Sequence, residues 1–260
     1  MSESNVNLKG GVEEVTPYRD KETEHKGAQV EEMFDSIAPA YDFMNTAMTF
    51  GLHRRWRDKA LKAALDTLPA GAPLKILDVA TGTGDVAFRI HDLLPEAKIT
   101  GIDLSTGMLD VARKKLRDLP EADQQKFAFG KADCLALPFH DGEFSLITVA
   151  YGVRNFENLL QGLKEMRRVL KNGGTLCVIE LSSPEGKITG LGYRIYSRKL
   201  IPWVGKMVSG DSRAYSYLPE SIAACPQREE MAKLMKKAGF TSVKWKSLTF
   251  GAVTYYLATI

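Results

Sequence analysis

Cysteine and histidine are scarce in this 260-residue chain, with three of the first and four of the second. Cys134, Cys177 and Cys225 lie far apart, and neither they nor the histidines fall at metal-ligand spacing, so no metal site is expected. An odd, scattered set of thiols argues against a disulfide framework and suggests reduced cysteines in a cytoplasmic protein, two of them in the core. No apolar run approaches the ~20 residues that a bilayer-spanning helix needs, and the polar, acidic amino terminus is unlike a signal peptide. An excess of one charge is also missing. The 35 Lys and Arg against 32 Asp and Glu leave +3, too little to point to nucleic acid. Internal repeats and low-complexity segments are absent. What is left is the composition of an ordinary soluble or membrane-surface protein, 44% hydrophobic and 26% charged. Its length suits one sizeable domain with an elaboration, or at most two small ones.

The chain is most informative at Lys75–Asp85, Lys-Ile-Leu-Asp-Val-Ala-Thr-Gly-Thr-Gly-Asp, with a second apolar run at Lys98–Ile102 ending in Asp103. An apolar strand running into Gly82-Thr83-Gly84, a helix after it, and a carboxylate at the tip of the next strand together suit a nucleoside. Glycines let the backbone approach it, and the acid accepts two ribose hydroxyl protons. The segment also satisfies the loose dinucleotide pattern Gly-x-Gly-x-x-Gly/Ala, so charge has to discriminate. A pyrophosphate wants the bare positive end of a helix. Here Asp85 opens the helix and Asp78 lies in the strand before the loop. Two carboxylates repel a diphosphate and attract a cation, which favours S-adenosylmethionine over NAD. Taken singly, Asp85 reads equally well as a helix cap and Asp78 as a brace for the loop.

Residues 1–27 read as a flexible polar tail and 28–260 as one domain. A helical cap is expected over about 28–70. Val30, Met33, Phe34 and Ile37 recur at helical spacing until Pro39, and a longer helix spans about 53–68. The core then alternates. Strands at 75–80, 98–103, 126–132, 144–150 and 175–181 are separated by helices near 84–94, after a Ser105 cap, and at 157–170, with Asn172-Gly173-Gly174 as a turn. This predicts an α/β, doubly wound, mostly parallel sheet. A helix at 227–238 and strands at 241–249 and 252–259 around Gly251 predict a terminal antiparallel hairpin. Ser183–Cys225 breaks the alternation. Its apolar and cationic residues are interleaved, which suits an insertion covering a substrate at the strand ends or lying at a lipid headgroup layer.

Tyr41-Asp42-Phe43-Met44-Asn45 with Thr49, His53 and Trp56 resembles the amino-terminal signature of the ubiquinone/menaquinone biosynthesis C-methyltransferases. Arg168–Gly174, ending in Glu180-Leu181-Ser182, resembles their second signature. Leu77–Asp85 looks like their cofactor loop, and Tyr151-Gly152-Val153-Arg154-Asn155 their Gly-hydrophobic-Arg-Asn segment. The resemblance runs from about residue 28 to the end. Thr49 stands where Ser is usual and Asn172 where Pro is common; the first keeps the hydroxyl and the second still suits a turn.

The resemblance implies a seven-stranded class I S-adenosylmethionine-dependent methyltransferase fold and S-adenosylmethionine as cofactor, held by Asp78, Gly82, Thr83, Gly84, Asp103, Asp133, Cys134 and Ala150. Ala150 falls where many members have Ser, leaving only a backbone contact there. The implied acceptor is a prenylated quinol, demethylmenaquinol or its ubiquinone-pathway counterpart, with Tyr41, Asp42, Asn45 and Tyr151 nearby. Arg154 is expected to stabilise a phenolate as it forms rather than act as a base, with Asn155 orienting the ring or a water. The alternative for Arg154 is a brace to Glu157 or Asp42. His53 has the intrinsic pKa of a base. Peripheral contact with the inner face of a membrane and a homodimer are both left open, and no nucleic-acid partner is expected. The rivals are a methyltransferase with another acceptor, an NAD-dependent oxidoreductase, and a silent cofactor-binding module.

Overall fold

In the computed structural model the structure describes residues 11–18, 24–69, 74–184, 186 and 212–260. The amino-terminal helices are α1 (Lys26–Ile37), α2 (Tyr41–Thr49) and α3 (Leu52–Leu65). The alternating core follows as β1 (Lys75–Val79), α4 (Asp85–Leu93), β2 (Lys98–Asp103), α5 (Thr106–Arg117), α6 (Glu121–Gln124), β3 (Phe127–Lys131), β4 (Phe144–Ala150), α7 (Leu159–Val169) and β5 (Leu170–Leu181). It closes with α8 (Ser212–Ala224), α9 (Glu229–Lys237), β6 (Ser242–Leu248) and β7 (Val253–Thr259).

The seven strands form one sheet in the order β3-β2-β1-β4-β5-β7-β6. The five strands from β3 to β5 are parallel, with Ile76 opposite Ile99 on one side and Leu146 on the other. The β6–β7 hairpin then inserts β7 antiparallel to β5, Val178 opposite Tyr256. Central strands are apolar almost without alternation, and Ile76, Leu77, Leu146, Ile147, Leu176 and Val178 are fully buried. Helices on both faces explain this: the middle residues of these strands are kept from water, while positions such as Lys75, Lys98 and Lys171 are exposed. At the open edge β6 exposes Lys244 and Lys246, which blunts further strand pairing.

One expectation changes, two are refined and one lies mostly outside the described residues. Gly11–Tyr18 was assigned to a flexible tail, yet Val12, Val15 and Tyr18 are buried. The segment is also tied down: Glu13 Oε1 accepts from Leu159 N at 2.9 Å and Lys26 Nζ donates to Val12 O at 2.5 Å. Pro39 interrupts α1 without ending the helical cap, because a tight turn over Ala38–Ala40 leads straight into α2. Asn172-Gly173-Gly174 bends the chain as expected, with Gly173 at φ 77°, but the bend lies inside β5: the register passes from Leu170 opposite Phe144 to Thr175 opposite Leu146. Of the insertion at 183–225, Ser183, Pro184, Gly186, α8 and Cys225 are described. The remainder lies outside the described residues.

Among the described residues, no helix is long and apolar enough to cross a membrane. No group of three or more His, Cys, Asp or Glu among them could hold a metal ion.

Candidate active site

β1 and β4 are neighbours, but the chain leaves them toward opposite sides of the sheet, so a crevice opens beyond their carboxyl ends. The backbone is strained there. Ala80 and Tyr151, the residues that follow these strands, have φ of 52° and 58°, a conformation costly for any side chain. Close approach adds a constraint, since a Cβ at Gly152 would lie 2.7 Å from that of Ala80. Gly82 follows at φ 57°, and Gly84, at φ 81°, leads into α4. Asp78 organises this turn from below: it accepts from Thr81 Oγ1 and Thr148 Oγ1, each at 2.6 Å. Burial raises its pKa to about 6, partly offset by those two hydroxyls. Asp103, at the tip of β2, accepts from Gly82 N at 2.8 Å and Ser105 N at 2.9 Å, and burial raises its pKa as well. Ser105 caps α5 by accepting from Met108 N, so the helix start and the carboxylate are set together.

A cavity of about 790 Å³, partly open to solvent, occupies this crevice. Gly82, Asp103, Asp133, Cys134, Ala150, Tyr151 and Asn155 lie in its walls. Its charged walls are Asp103, Asp133 and Glu157, with no Lys or Arg among the lining residues. Such a chamber repels a pyrophosphate and accepts a cation. The Cys134 thiol is raised by burial, which keeps it neutral.

The two carboxylates on which the sequence argument rested are elsewhere. Asp85 pairs with Arg57 at 3.0 Å and Lys115 at 2.9 Å. Burial opposes its charge, yet these cations hold its pKa below the usual range. Asp78 is satisfied by its two hydroxyls and is absent from the cavity walls, as are Thr83 and Gly84. Thr83 Oγ1 donates to Asp42 Oδ1 at 2.6 Å, and Lys115 Nζ lies 2.6 Å from Asp42 Oδ2. Asp42 is thereby drawn into a strut between α2, the loop and α5, and it lines neither cavity, contrary to its expected place beside the acceptor.

A second cavity, of about 1460 Å³ and also partly open, adjoins the first. The two share Phe34, Tyr41, Tyr151 and Asn155 as common walls. Apolar side chains from α1, α2, α3 and α8, including Met33, Ile37, Met44, Leu218 and Ile222, form most of its lining. Its polar lining includes His53, Thr49 and Asn45 as one group and Arg154, Tyr151, Asn155 and Tyr217 as another. His53 Nδ1 lies 2.7 Å from Thr49 Oγ1, and that hydroxyl donates to Asn45 O at 2.6 Å. The hydroxyl has one proton, so Nδ1–H must be the donor to it, which leaves Nε2 as the basic nitrogen of neutral His53. Burial, helped by Arg57, lowers the His53 pKa.

Arg154 is 6% exposed; its Nη1 lies 2.7 Å from Glu180 Oε1 and donates to Tyr151 O at 2.5 Å. Its Nε and the Tyr151 hydroxyl are buried without a partner among the described residues. Both residues line the second cavity, where two orphaned polar groups mark a place for an oxygen-bearing ligand. Asn155 Oδ1 accepts from Tyr217 OH at 3.1 Å, which joins α8 to this cluster.

A two-chamber crevice, one acidic and one apolar, matches the expected family, and comparison with known sequences decides it. Residues 22–259 match the model of the ubiE/COQ5 methyltransferase family. The chain belongs to the ubiE/COQ5 methyltransferase family. It is 45% identical to a demethylmenaquinone methyltransferase of Bacteroides fragilis over 248 residues, 95% of this chain and 98% of that one. It is 40% identical to a ubiquinone/menaquinone biosynthesis C-methyltransferase of Geotalea uraniireducens, over 89% of this chain and 96% of that one. A solved structure, the [4+2]-cyclase SpnF, superposes with a TM-score of 0.63 at 22% identity, over 87% of this chain and 77% of that one. That likeness concerns the fold alone, which hosts more than one chemistry. The fold is that of class I S-adenosylmethionine-dependent methyltransferases, and the protein is an enzyme of that type.

Sequence reasoning overlooked Glu180 as the partner of Arg154, having proposed Glu157 or Asp42. Glu180 stands in the second signature, but only the β4–β5 pairing shows that it reaches the turn after β4. Glu157 and Tyr217 were also missed as cavity walls. Tyr217 arrives by packing of a distant segment, and Glu157, two positions after Asn155, is shown in the chamber wall only by the fold.

Proposed function

We propose that this methyltransferase uses S-adenosylmethionine to methylate a ring carbon of a reduced prenylated quinone, demethylmenaquinol in preference to its ubiquinone-pathway counterpart. The observation that carries the cofactor assignment is the first chamber, whose charged walls are all carboxylates. S-Adenosylmethionine bears an ammonium and a sulfonium against one carboxylate, whereas NAD bears a diphosphate. When bound, it supplies an electrophilic methyl carbon on positively charged sulfur. In this reading Asp103 accepts the ribose hydroxyl protons, and Asp133 and the Cys134 backbone hold the adenine edge.

The second chamber suits a ring with a long apolar tail: its walls are largely apolar, it is partly open to solvent, and polar Tyr41, Tyr151 and Asn155 stand in the wall it shares with the first chamber. The Nε2 of His53 takes a proton from a ring hydroxyl, which raises electron density at the ortho carbon. The guanidinium of Arg154 remains charged throughout, since Glu180 counters its burial. Its unpaired Nε–H and the Tyr151 hydroxyl are the donors available to the phenolate oxygen. Glu180 fixes the guanidinium, and Asn155, held by Tyr217, faces both chambers. Burial raises the pKa of Tyr41 and of Tyr151, so both keep their protons as donors.

Titrating S-adenosylmethionine and NADH separately, then following labelled methyl transfer to demethylmenaquinol, tests this reading. S-Adenosylmethionine is expected to bind and NADH not to, and Asp103→Ala is expected to weaken cofactor binding about 100-fold, through the loss of two charge-assisted hydrogen bonds. Binding of NADH instead, or transfer to no prenylated quinol, refutes it.

A further inference from the structure

Three phenylalanines stand in water on one side of the molecule. Phe43 is 64% exposed, and Phe50 and Phe250 are each 81% exposed. Phe43, Ala47 and Phe50 share one stripe of α2, by the spacing of a helix. Phe50 ends that helix with φ 50°, and Phe250, in the turn between β6 and β7, has φ 55°. Left-handed backbone is rare for a bulky side chain and is readily accepted by Gly or Asn. Each of these two residues therefore carries a backbone cost and a hydration cost together, and at 81% exposure little burial against the described residues repays them.

The two tips meet at one place. Trp56 Nε1 donates to Thr249 Oγ1 at 2.8 Å, which fastens the β6–β7 turn to α3. Phe50 and Leu52 from one side, and Thr249 and Ala252 from the other, line the second chamber. The segments that build this rim also lack acid: there is no Asp or Glu from Phe43 to Arg57 or from Met231 to Ile260. Arg54 and Arg55 are exposed in the first turn of α3, and Lys246 is exposed near the end of β6. Two cations at the positive end of a helix are unfavourable unless an anion lies outside.

We propose that this rim is a docking surface for an anionic phospholipid bilayer, with Phe43, Phe50 and Phe250 inserted among the acyl chains and Arg54, Arg55 and Lys246 at the headgroups. Exposed aromatics flanked by cations in an acid-free segment are the chemistry that such an interface selects. The purpose rests on the function proposed above: a prenylated quinol dissolved in the bilayer enters the apolar chamber through a mouth held against the lipid.

The test is sedimentation of the full chain with acceptor-free phosphatidylcholine vesicles, with and without phosphatidylglycerol. The wild type is expected to partition onto the anionic vesicles and to be released by salt. Phe43→Gln with Phe250→Asn is expected to weaken partitioning about tenfold or more. Arg54→Gln with Arg55→Gln is expected to abolish the preference for phosphatidylglycerol. The Phe250→Asn protein is expected to melt no lower than the wild type, because Asn tolerates the left-handed backbone. With a short-tailed, water-soluble acceptor, the phenylalanine double variant is expected to turn over normally, while transfer to acceptor embedded in vesicles falls with the partitioning. Wild-type protein that ignores anionic vesicles, or a double variant that binds them unchanged, overturns the proposal. So does a double variant that splits a dimer and leaves vesicle binding intact, since a second copy would then cover the patch. Because the vesicles hold no acceptor, either failure leaves quinol methylation standing, to be judged on the soluble acceptor.

Discussion

His53 illustrates how far one hydroxyl can set chemistry. Thr49 donates to Asn45 and so obliges the imidazole to donate from Nδ1, exposing Nε2 as a base. Burial and Arg57 lower its pKa, so the neutral form persists below the ordinary value of about 6.5. The sign follows. A depressed folded pKa means that the neutral-imidazole contribution is complete above about 6.5 and is lost as pH falls through the folded value. The acid limb of kcat/KM should therefore lie below 6.5. His53→Gln should reduce turnover by about 100-fold or more and remove that limb. A variant that keeps the same limb would take His53 off the reaction path. At this scale the sequence was only partly readable. Asp103 and Asp133 line the first chamber and Arg154 the second, but Asp78 is turned to the hydroxyls of Thr81 and Thr148, and the charge of Asp85 is countered by Arg57 and Lys115. Arg57 and Lys115 lie 28 and 30 positions from Asp85, beyond any local pattern.

Elements were more legible, because periodicity and capping act over short stretches. The apolar runs at 98–103 and 144–150 are β2 and β4 without a shift at either end. Ser105 caps α5 as its sequence position suggested, accepting from Met108 N and donating to Asp35 Oδ1 at 2.6 Å. Ser105→Ala should cost roughly 1–2 kcal/mol by urea denaturation, from the lost cap and the lost hydrogen bond to Asp35. Unchanged stability would mean that the α5 start is held by packing alone. The segments that resisted were α2, which sits between a proline and a glycine, and Leu170–Gly174. There the Gly-Gly pair does bend the chain, with Gly173 at φ 77°, yet the strand resumes beside the same partner, so the bend falls inside β5. A turn signal states where the chain can bend; pairing decides whether the strand resumes after it.

For the whole molecule, the amino-terminal segment matters more than its polarity implied. Val12 joins the core beside Phe156 and Leu159, and the buried ammonium of Lys26 bridges Val12 O and Arg154 O. Burial lowers that ammonium's pKa to about 8. Removing residues 1–18 should therefore destabilise the fold by on the order of 3 kcal/mol in chemical denaturation. It should also reduce turnover, because the same lysine holds the turn that bears Arg154. A truncated protein as stable and active as the full chain would show the packing to be incidental. By itself the sequence determined the strand and helix succession, the Gly-x-Gly turn with Asp103 beyond it, and the family, since those signals lie in contiguous stretches. Only the tertiary structure decided which carboxylates face the cofactor chamber, that Glu180 holds Arg154, and that two distant phenylalanines share one rim. Charge compensation and cavity walls are set by residues that meet only once the sheet has formed.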